Sequence, residues 1–258
     1  MKRALKIAGI LVVAFLTLGT SGMTWVMLTA PGVHRLALAP DLVDADSAAG
    51  QQALANASAK TDYGQLLPEF VPQSRRAFCG VASSVTVINA LAHPQPRLTQ
   101  KTLFTPKAAE VRGDLAVSFS GLTLEQLTRL IEAHGLQVKA THAAQSSLEV
   151  FRNVAQSALA EPLAFLVVNY DRKTLEQEGT GHISPIAAYN SDKDSVLVLD
   201  VAAHKYPHTW VPLTKLWAAM NTTDPVSGKT RGYLLVSASA VAQQVPADGP
   251  RATRSARR

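Results

Sequence analysis

The order of patterns along the chain predicts an α+β fold, with a helical part followed by an antiparallel sheet. In Cys79–Ala92 (CGVASSVTVINALA) the residues Val81, Val85, Ile88 and Ala92 recur at helical spacing. After Pro162 the pattern changes to short apolar runs rich in β-branched residues, at 163–169 (LAFLVVN), 182–190 (HISPIAAYN), 195–200 (SVLVLD) and 232–237 (GYLLVS). The polar run Asn190-Ser191-Asp192-Lys193-Asp194 between the second and third of these predicts a hairpin. Helices first and antiparallel strands afterwards is the α+β arrangement.

The other elements carry their own start and stop signals. Thr123-Leu124-Glu125-Gln126 has the spacing of a capping box and opens a second amphipathic helix, which Gly135 closes. Ser146-Ser147-Leu148-Glu149 opens a third. A short helix over 212–220 begins with proline near its first turn, where the missing N–H costs nothing.

A chain of 258 residues, 47% hydrophobic and with 15 glycines and 14 prolines, is long and apolar enough to bury a substantial core. Its single cysteine excludes an internal disulfide and a cysteine-based structural zinc site. The formal charge of +6 sits at the two ends: Lys2, Arg3 and Lys6 precede the body, and Arg251, Arg254, Arg257 and Arg258 outweigh Asp248 behind it. The body between is neutral, so no net basic excess is left for a nucleic-acid groove and no nucleic-acid partner is expected.

Residues 7–30 (IAGILVVAFLTLGTSGMTWVMLTA) contain no charge and follow Lys2, Arg3 and Lys6. About 20 apolar residues with positive charge on one flank fit a membrane anchor whose following domain lies outside the cytoplasm. A cleavable signal peptide is the rival, with 7–18 as its apolar part and the small-residue run Ala37-Leu38-Ala39 as a distant cleavage site. Either reading places the body in an exported compartment, in the periplasm or on the outer face of the cytoplasmic membrane, anchored or secreted. The expected divisions are 1–35 as anchor or signal segment, 36–65 as an Ala/Asp/Gln-rich tether, 66–240 as the folded domain and 241–258 as a basic flexible tail.

The sole cysteine stands in Gln73-Ser74-Arg75-Arg76-Ala77-Phe78-Cys79-Gly80, at the start of the first predicted helix. Backbone N–H groups at a helix N-terminus and a nearby imidazole both favour a thiolate. On its own this position fits a buried structural thiol equally well. The second half of the chain supplies partners. His182 opens a strand after Gly179-Thr180-Gly181, a glycine-rich approach that lets backbone come close to a ligand. Asp200 ends the next strand of the predicted hairpin. On neighbouring strands the Asp200 carboxylate could fix one ring nitrogen of His182 while the other faces Cys79. A cysteine at a helix start with His and Asp on a later hairpin is the layout of a papain-like thiol enzyme. Gln73, six residues before the nucleophile, stands where that layout places an oxyanion donor beside the Cys79 backbone N–H.

Four ordered blocks then resemble the phytochelatin synthases, the glutathione γ-glutamylcysteinyltransferase group of papain-like enzymes. They are 73–83 running on to Asn89-Ala90-Leu91; 179–186 (GTGHISPI); 199–207 (LDVAAHKYP) with Trp210-Val211-Pro212 and Leu216-Trp217; and 227–233 (SGKTRGY). The resemblance implies Cys79 as nucleophile, His182 as general base and then acid, Asp200 as orienter and Gln73 as oxyanion donor. It implies Asp224 and Arg231 as the residues that hold the γ-glutamyl end of the substrate, with Gly181 and Ser83 also at the substrate. A carboxylate for an α-ammonium and a guanidinium fork for an α-carboxylate suit that task.

In length the chain resembles the bacterial half-length members, which mostly hydrolyse glutathione. The implied chemistry is release of glycine from glutathione through a γ-Glu-Cys acyl-enzyme, which passes to water or to a second glutathione, with a role in thiol metabolism or heavy-metal detoxification. Ala203-His204 stands where relatives often carry arginine, a change at a contact to the second substrate. No fixed cofactor is implied; cadmium or zinc would enter as glutathione thiolates or activators, and His204 with His208 is read as loop polarity rather than as a ligand pair. The expected partners are glutathione and metal–glutathione thiolates, the membrane if the anchor is retained, and a second copy of the chain. Two other readings share the same residues: a peptidase that trims double-glycine leaders, and a non-catalytic envelope protein that binds thiols or metal.

Overall fold

A computed structural model describes residues 22, 24–161 and 164–238. The elements in chain order are β1 (Val43–Asp44), α1 (Ala48–Ala55), α2 (Thr61–Leu66), α3 (Cys79–Ala92), α4 (Pro106–Val111), α5 (Asp114–Ser120) and α6 (Leu124–Glu132). There follow β2 (Gln137–His142), α7 (Leu148–Ala160), β3 (Ala164–Asp171), β4 (Gly181–Asn190), β5 (Ser195–Val198), β6 (Thr209–Pro212), α8 (Leu213–Met220) and β7 (Gly232–Ser237). The seven strands form one sheet in the order β1-β6-β5-β4-β3-β7-β2, and every neighbouring pair is antiparallel. The mixed helix and antiparallel-sheet class is the α+β arrangement expected from the sequence.

The sheet is covered on both faces, which explains why its middle strands read as continuous apolar runs rather than as alternations. Along β3, Phe165 and Val167 join the core that includes α3 and α6, whereas Leu166, Val168 and Tyr170 join the core that includes α7 and α8. Helix α3 lies across β4 and is buried on nearly every side, from Gly80 to Ala90. A Cβ at Gly80 would come within 3.2 Å of the Ile183 side chain, so the small residue lets the first turn of the helix approach β4 closely. The Thr123–Gln126 capping box is formed in both directions at the start of α6.

Residues 36–65 are not the tether expected from their composition. Val43 and Asp44 pair with Trp210 and Thr209 at the sheet edge, and Ala59 bridges to Tyr189. Leu42, Ala53 and Ala59 are buried, as is Leu66 immediately after. The physical reason is the size of the residues: α1 packs through Gly50 and Ala53, and a Cβ at Gly50 would meet the Asp44 carbonyl oxygen at 2.1 Å. Small residues here signal close backbone approach, and such an element lacks the large apolar periodicity that marks a helix in a sequence. The folded unit therefore begins near Ala39 rather than at 66.

Among the described residues no helix is long and apolar enough to cross a membrane. The apolar stretch up to residue 21 and the basic tail 241–258 lie outside the described residues.

Candidate active site

Cys79 is the first residue of α3. The N–H groups of that first turn have no intrahelical carbonyl to bond and carry the positive end of the helix dipole. The loop that delivers Cys79 is held from several sides. The Gln73 N–H donates to the Val201 carbonyl at 2.8 Å. Gln100 accepts from the Ser74 N–H and hydroxyl, both at 2.9 Å, and donates to the Pro72 carbonyl at 2.8 Å.

His182 is the second residue of β4, the middle strand of the sheet, and lies opposite Tyr170 of β3 with the two rings edge to face at 5.6 Å. Its Nε2 donates to Asp200 Oδ1 at 2.9 Å. That bond leaves Nδ1 as the nitrogen free to take a proton. Asp200 lies just past β5, where the Leu199 N–H bonds to Pro185 and the Val201 N–H to the Ser184 hydroxyl. Cys79, His182, Asn169, Gly181, Phe119 and Met27 share one cavity of about 340 Å³. The sulfur meets the backbone N–H of Ile183, the residue after His182.

Burial decides the protonation of the pair. Desolvation pushes the Cys79 thiol up, and this outweighs the Ile183 and Gly80 N–H groups and the Arg172 charge that act the other way. Desolvation, then the Arg172 charge, lowers the His182 imidazole to about 4 against the opposing pull of Asp200. In the free site burial therefore favours the uncharged form of both groups. Burial thus works against a charge on the free sulfur, while the Ile183 and Gly80 N–H groups and the Arg172 charge favour it.

Asp200 stays ionised: burial would raise its carboxyl, but the Arg172 charge and the hydrogen bonds from His182 and Arg172 hold it far below the usual range. Arg172 is the residue that sequence reasoning missed. Its Nη2 lies 2.8 Å from both carboxylate oxygens of Asp200, and the two side chains are almost wholly buried. Its guanidinium also lies 5.1 Å from the Tyr206 ring and contacts Gln177. Nothing in the local sequence marks an arginine that follows a strand end as the partner of an aspartate 28 positions later.

The remaining expected site residues divide. Arg231 is 6% exposed; its Nη1 donates to Asn169 at 3.3 Å, and its Nε has no partner. Gly181 lies against it, so that a Cβ there would be 2.5 Å from Arg231 Nη1. Among the described residues no carboxylate pairs with this guanidinium, which makes it a buried cation without a counter-charge beside the cavity. Asp224 is buried in the same hairpin, where it accepts from the Val226 N–H at 3.0 Å. The Thr223–Thr230 bridge closes that hairpin.

Ser83 corrects the expectation of a substrate contact: it is fully buried, and its hydroxyl donates to the Ile183 carbonyl at 3.1 Å. It fastens α3 to β4 one turn beyond the cysteine. Gln73 is also used differently from the expectation. Its Nε2 donates to the carbonyls of Arg75 and Arg76 at 3.0 and 2.9 Å, and its buried Oε1 has no partner. Both amide hydrogens thus face loop carbonyls rather than the sulfur. A second cavity of about 200 Å³ adjoins the first through Gly181 and His182, and Arg76, Arg172, His204 and Lys205 line it.

A family model of phytochelatin synthase matches residues 33–233. The chain belongs to the phytochelatin synthase family. It is 38% identical over 211 residues to glutathione gamma-glutamylcysteinyltransferase 1 of Lotus japonicus, covering 79% of this chain and 42% of that protein. It is 34% identical over 217 residues to glutathione gamma-glutamylcysteinyltransferase 2 of Arabidopsis thaliana, covering 80% and 47%. It is 29% identical over 178 residues to the enzyme of that name in Schizosaccharomyces pombe, covering 68% and 43%. The chain thus spans less than half the length of these relatives. The phytochelatin synthase match begins at residue 33, which agrees with the burial of Ala39, Leu42, Ala53, Ala59 and Leu66 in the fold.

Among the described residues no three His, Cys, Asp or Glu side chains converge in a way that could hold a metal ion. His208 instead packs edge-on against Phe70, with ring centres 4.5 Å apart.

Proposed function

We propose that this protein is a thiol acyltransferase acting on glutathione, built on a papain-like layout. The observation that carries the reading is one cavity that holds Cys79 at a helix start and His182 with its Nε2 fixed on Asp200. Bound substrate displaces the remaining water. The Cys79 proton passes to Nδ1 of His182 as the sulfur attacks the cysteinyl carbonyl, so charge appears only as the bond forms. The Cys79 backbone N–H receives the developing oxyanion. Gln73 joins it once one of its N–H groups leaves a loop carbonyl. His182 returns the proton to the departing glycine amine, and the γ-Glu-Cys group remains on the sulfur as a thioester.

Arg231 supports glutathione as the donor. A buried guanidinium with no counter-charge favours a carboxylate ligand, and the γ-glutamyl end supplies one. Asp224 in the same hairpin takes the α-ammonium. The thioester then passes to water or to a second glutathione, and metal–glutathione thiolates such as those of cadmium enter as substrate in thiol metabolism or metal detoxification. The charge-free run that follows Lys2, Arg3 and Lys6 supports an exported location for this chemistry.

The test is a product assay with glutathione, with and without cadmium. Wild type is expected to release glycine with γ-Glu-Cys and (γ-Glu-Cys)₂-Gly, and Cys79→Ala to release none. A Cys79→Ala protein that frees glycine at the wild-type rate overturns the proposal.

A further inference from the structure

The chain just before the folded unit crosses both cavities. Residues 24–28 form a helical turn, with the Thr29 N–H donating to the Trp25 carbonyl at 3.0 Å. Met27 of that turn is half-buried and forms part of the wall of the cavity that holds Cys79 and His182. Farther on, the His34 N–H donates to the His204 carbonyl at 2.8 Å and the Leu36 N–H to the Lys205 carbonyl at 3.0 Å. His204 and Lys205 are walls of the second cavity. One arm therefore adds a side chain to the wall of the first cavity and bonds to the wall of the second through two backbone N–H groups. Its own anchorage is slight: Trp25 and Val33 are exposed, and burial in the core begins only at Ala39.

We propose that residues 27–36 are a strap that selects the acyl acceptor by size, an inference that rests on the acyl-transfer reading above. Small-molecule sites run from about 300 Å³ upward. The cavity at Cys79, about 340 Å³, holds one peptide, whereas its neighbour of about 200 Å³ admits water more readily than a second tripeptide. With water, a C–O bond forms at the thioester carbonyl, the C–S bond breaks, and the water proton passes through His182 to the sulfur. With glutathione, its α-amine forms a C–N bond at the same carbon and its proton takes the same route. The second course needs room that the 204–205 wall can give only by moving outward, and the strap's bonds to both carbonyls resist that movement.

Cys79 is the sole cysteine, so its alkylation reads access to the cleft with no assumption about the substrate. Two full-chain variants test the strap: Leu36→Pro, which deletes one of its N–H donors, and Met27→Ala, which opens its wall. In both, alkylation by fluorescein maleimide is expected to rise about fivefold while iodoacetamide changes less than about twofold, as for a loosened lid. The ratio of (γ-Glu-Cys)₂-Gly to γ-Glu-Cys is expected to rise about threefold. An unchanged maleimide rate in both variants overturns the strap, and a raised rate with an unchanged product ratio overturns its control of the acceptor. If wild type itself yields no product, the glutathione reading fails, and the alkylation rates still decide whether residues 27–36 close the cleft. Should Leu36→Pro fail to fold, Met27→Ala decides alone.

Discussion

Asp200 Oδ1 accepts hydrogen bonds from three directions: Arg172 at 2.8 Å, His182 at 2.9 Å and the Ala202 N–H at 2.9 Å. The aspartate therefore orients the imidazole without donating its whole charge to it, because a buried arginine shares that charge. Arg172 lowers the basicity of His182 and at the same time holds Asp200 ionised.

Replacing Arg172 with Met is expected to raise the His182 imidazole from about 4 toward its ordinary value. The general base must be neutral, so activity is lost as pH falls through the imidazole pKa, and the acid limb of kcat/KM moves to higher pH. A limb that stays in place in this variant refutes the role. Unfolding in urea should show a loss of about 3–5 kcal/mol, because Asp200 is left buried without its partner. Arg172→Lys, which keeps the charge but loses the two-oxygen contact, should shift the limb less.

Arg231→Lys is expected to raise the KM for glutathione by about tenfold or more, since a single ammonium cannot reproduce a guanidinium contact to a carboxylate. Gly181→Ala should act in the same direction by crowding the guanidinium, 2.5 Å from the new Cβ. Steady-state kinetics with alkylation of Cys79 as a control checks both; a slowed alkylation with an unchanged KM would assign these residues to the nucleophile instead.

Ser83→Ala should cost about 1–3 kcal/mol, because the Ile183 carbonyl loses a buried donor. The KM for glutathione should stay within about twofold of wild type, as expected for a residue that fastens α3 to β4 without touching the substrate. A large KM change would restore Ser83 to the substrate site.

Asp62 is wholly buried, with both carboxylate oxygens unpartnered, and desolvation raises it to about 8. The folded chain therefore holds a proton that the unfolded chain releases above about pH 4, so this group's contribution to stability falls as pH rises from about 4 to about 8. Asp62→Asn should flatten that slope and stabilise the protein at pH 8 by a few kcal/mol. Melting curves across that pH range test this, and an unchanged slope counts against it.

Much of the site can be read from residue order, and what cannot has identifiable causes. The helix starting at Cys79, the Thr123 capping box and the hairpin joining His182 to Asp200 depend on local spacing, which a sequence displays. The Arg172–Asp200 pair depends on a crossing of strand ends that no local pattern records. Gln73 has the expected position, but the direction of its amide is set by the carbonyls of Arg75 and Arg76, a matter of loop conformation. Residues 39–66 escape notice because alanine and glycine pack them against backbone. The opposition of burial to charge at Cys79 and His182 depends on how far the fold removes each from water, which no local spacing displays.

The Ser83–Ile183 bond joins the helix that presents the sulfur to the strand that presents the imidazole, and both elements are deep in the core. Neither catalytic group can be withdrawn by fraying of a loop. Amide exchange along α3 from Ser83 onward should consequently be among the slowest in the molecule, and catalysis should disappear in the same cooperative step that melts the centre of the protein.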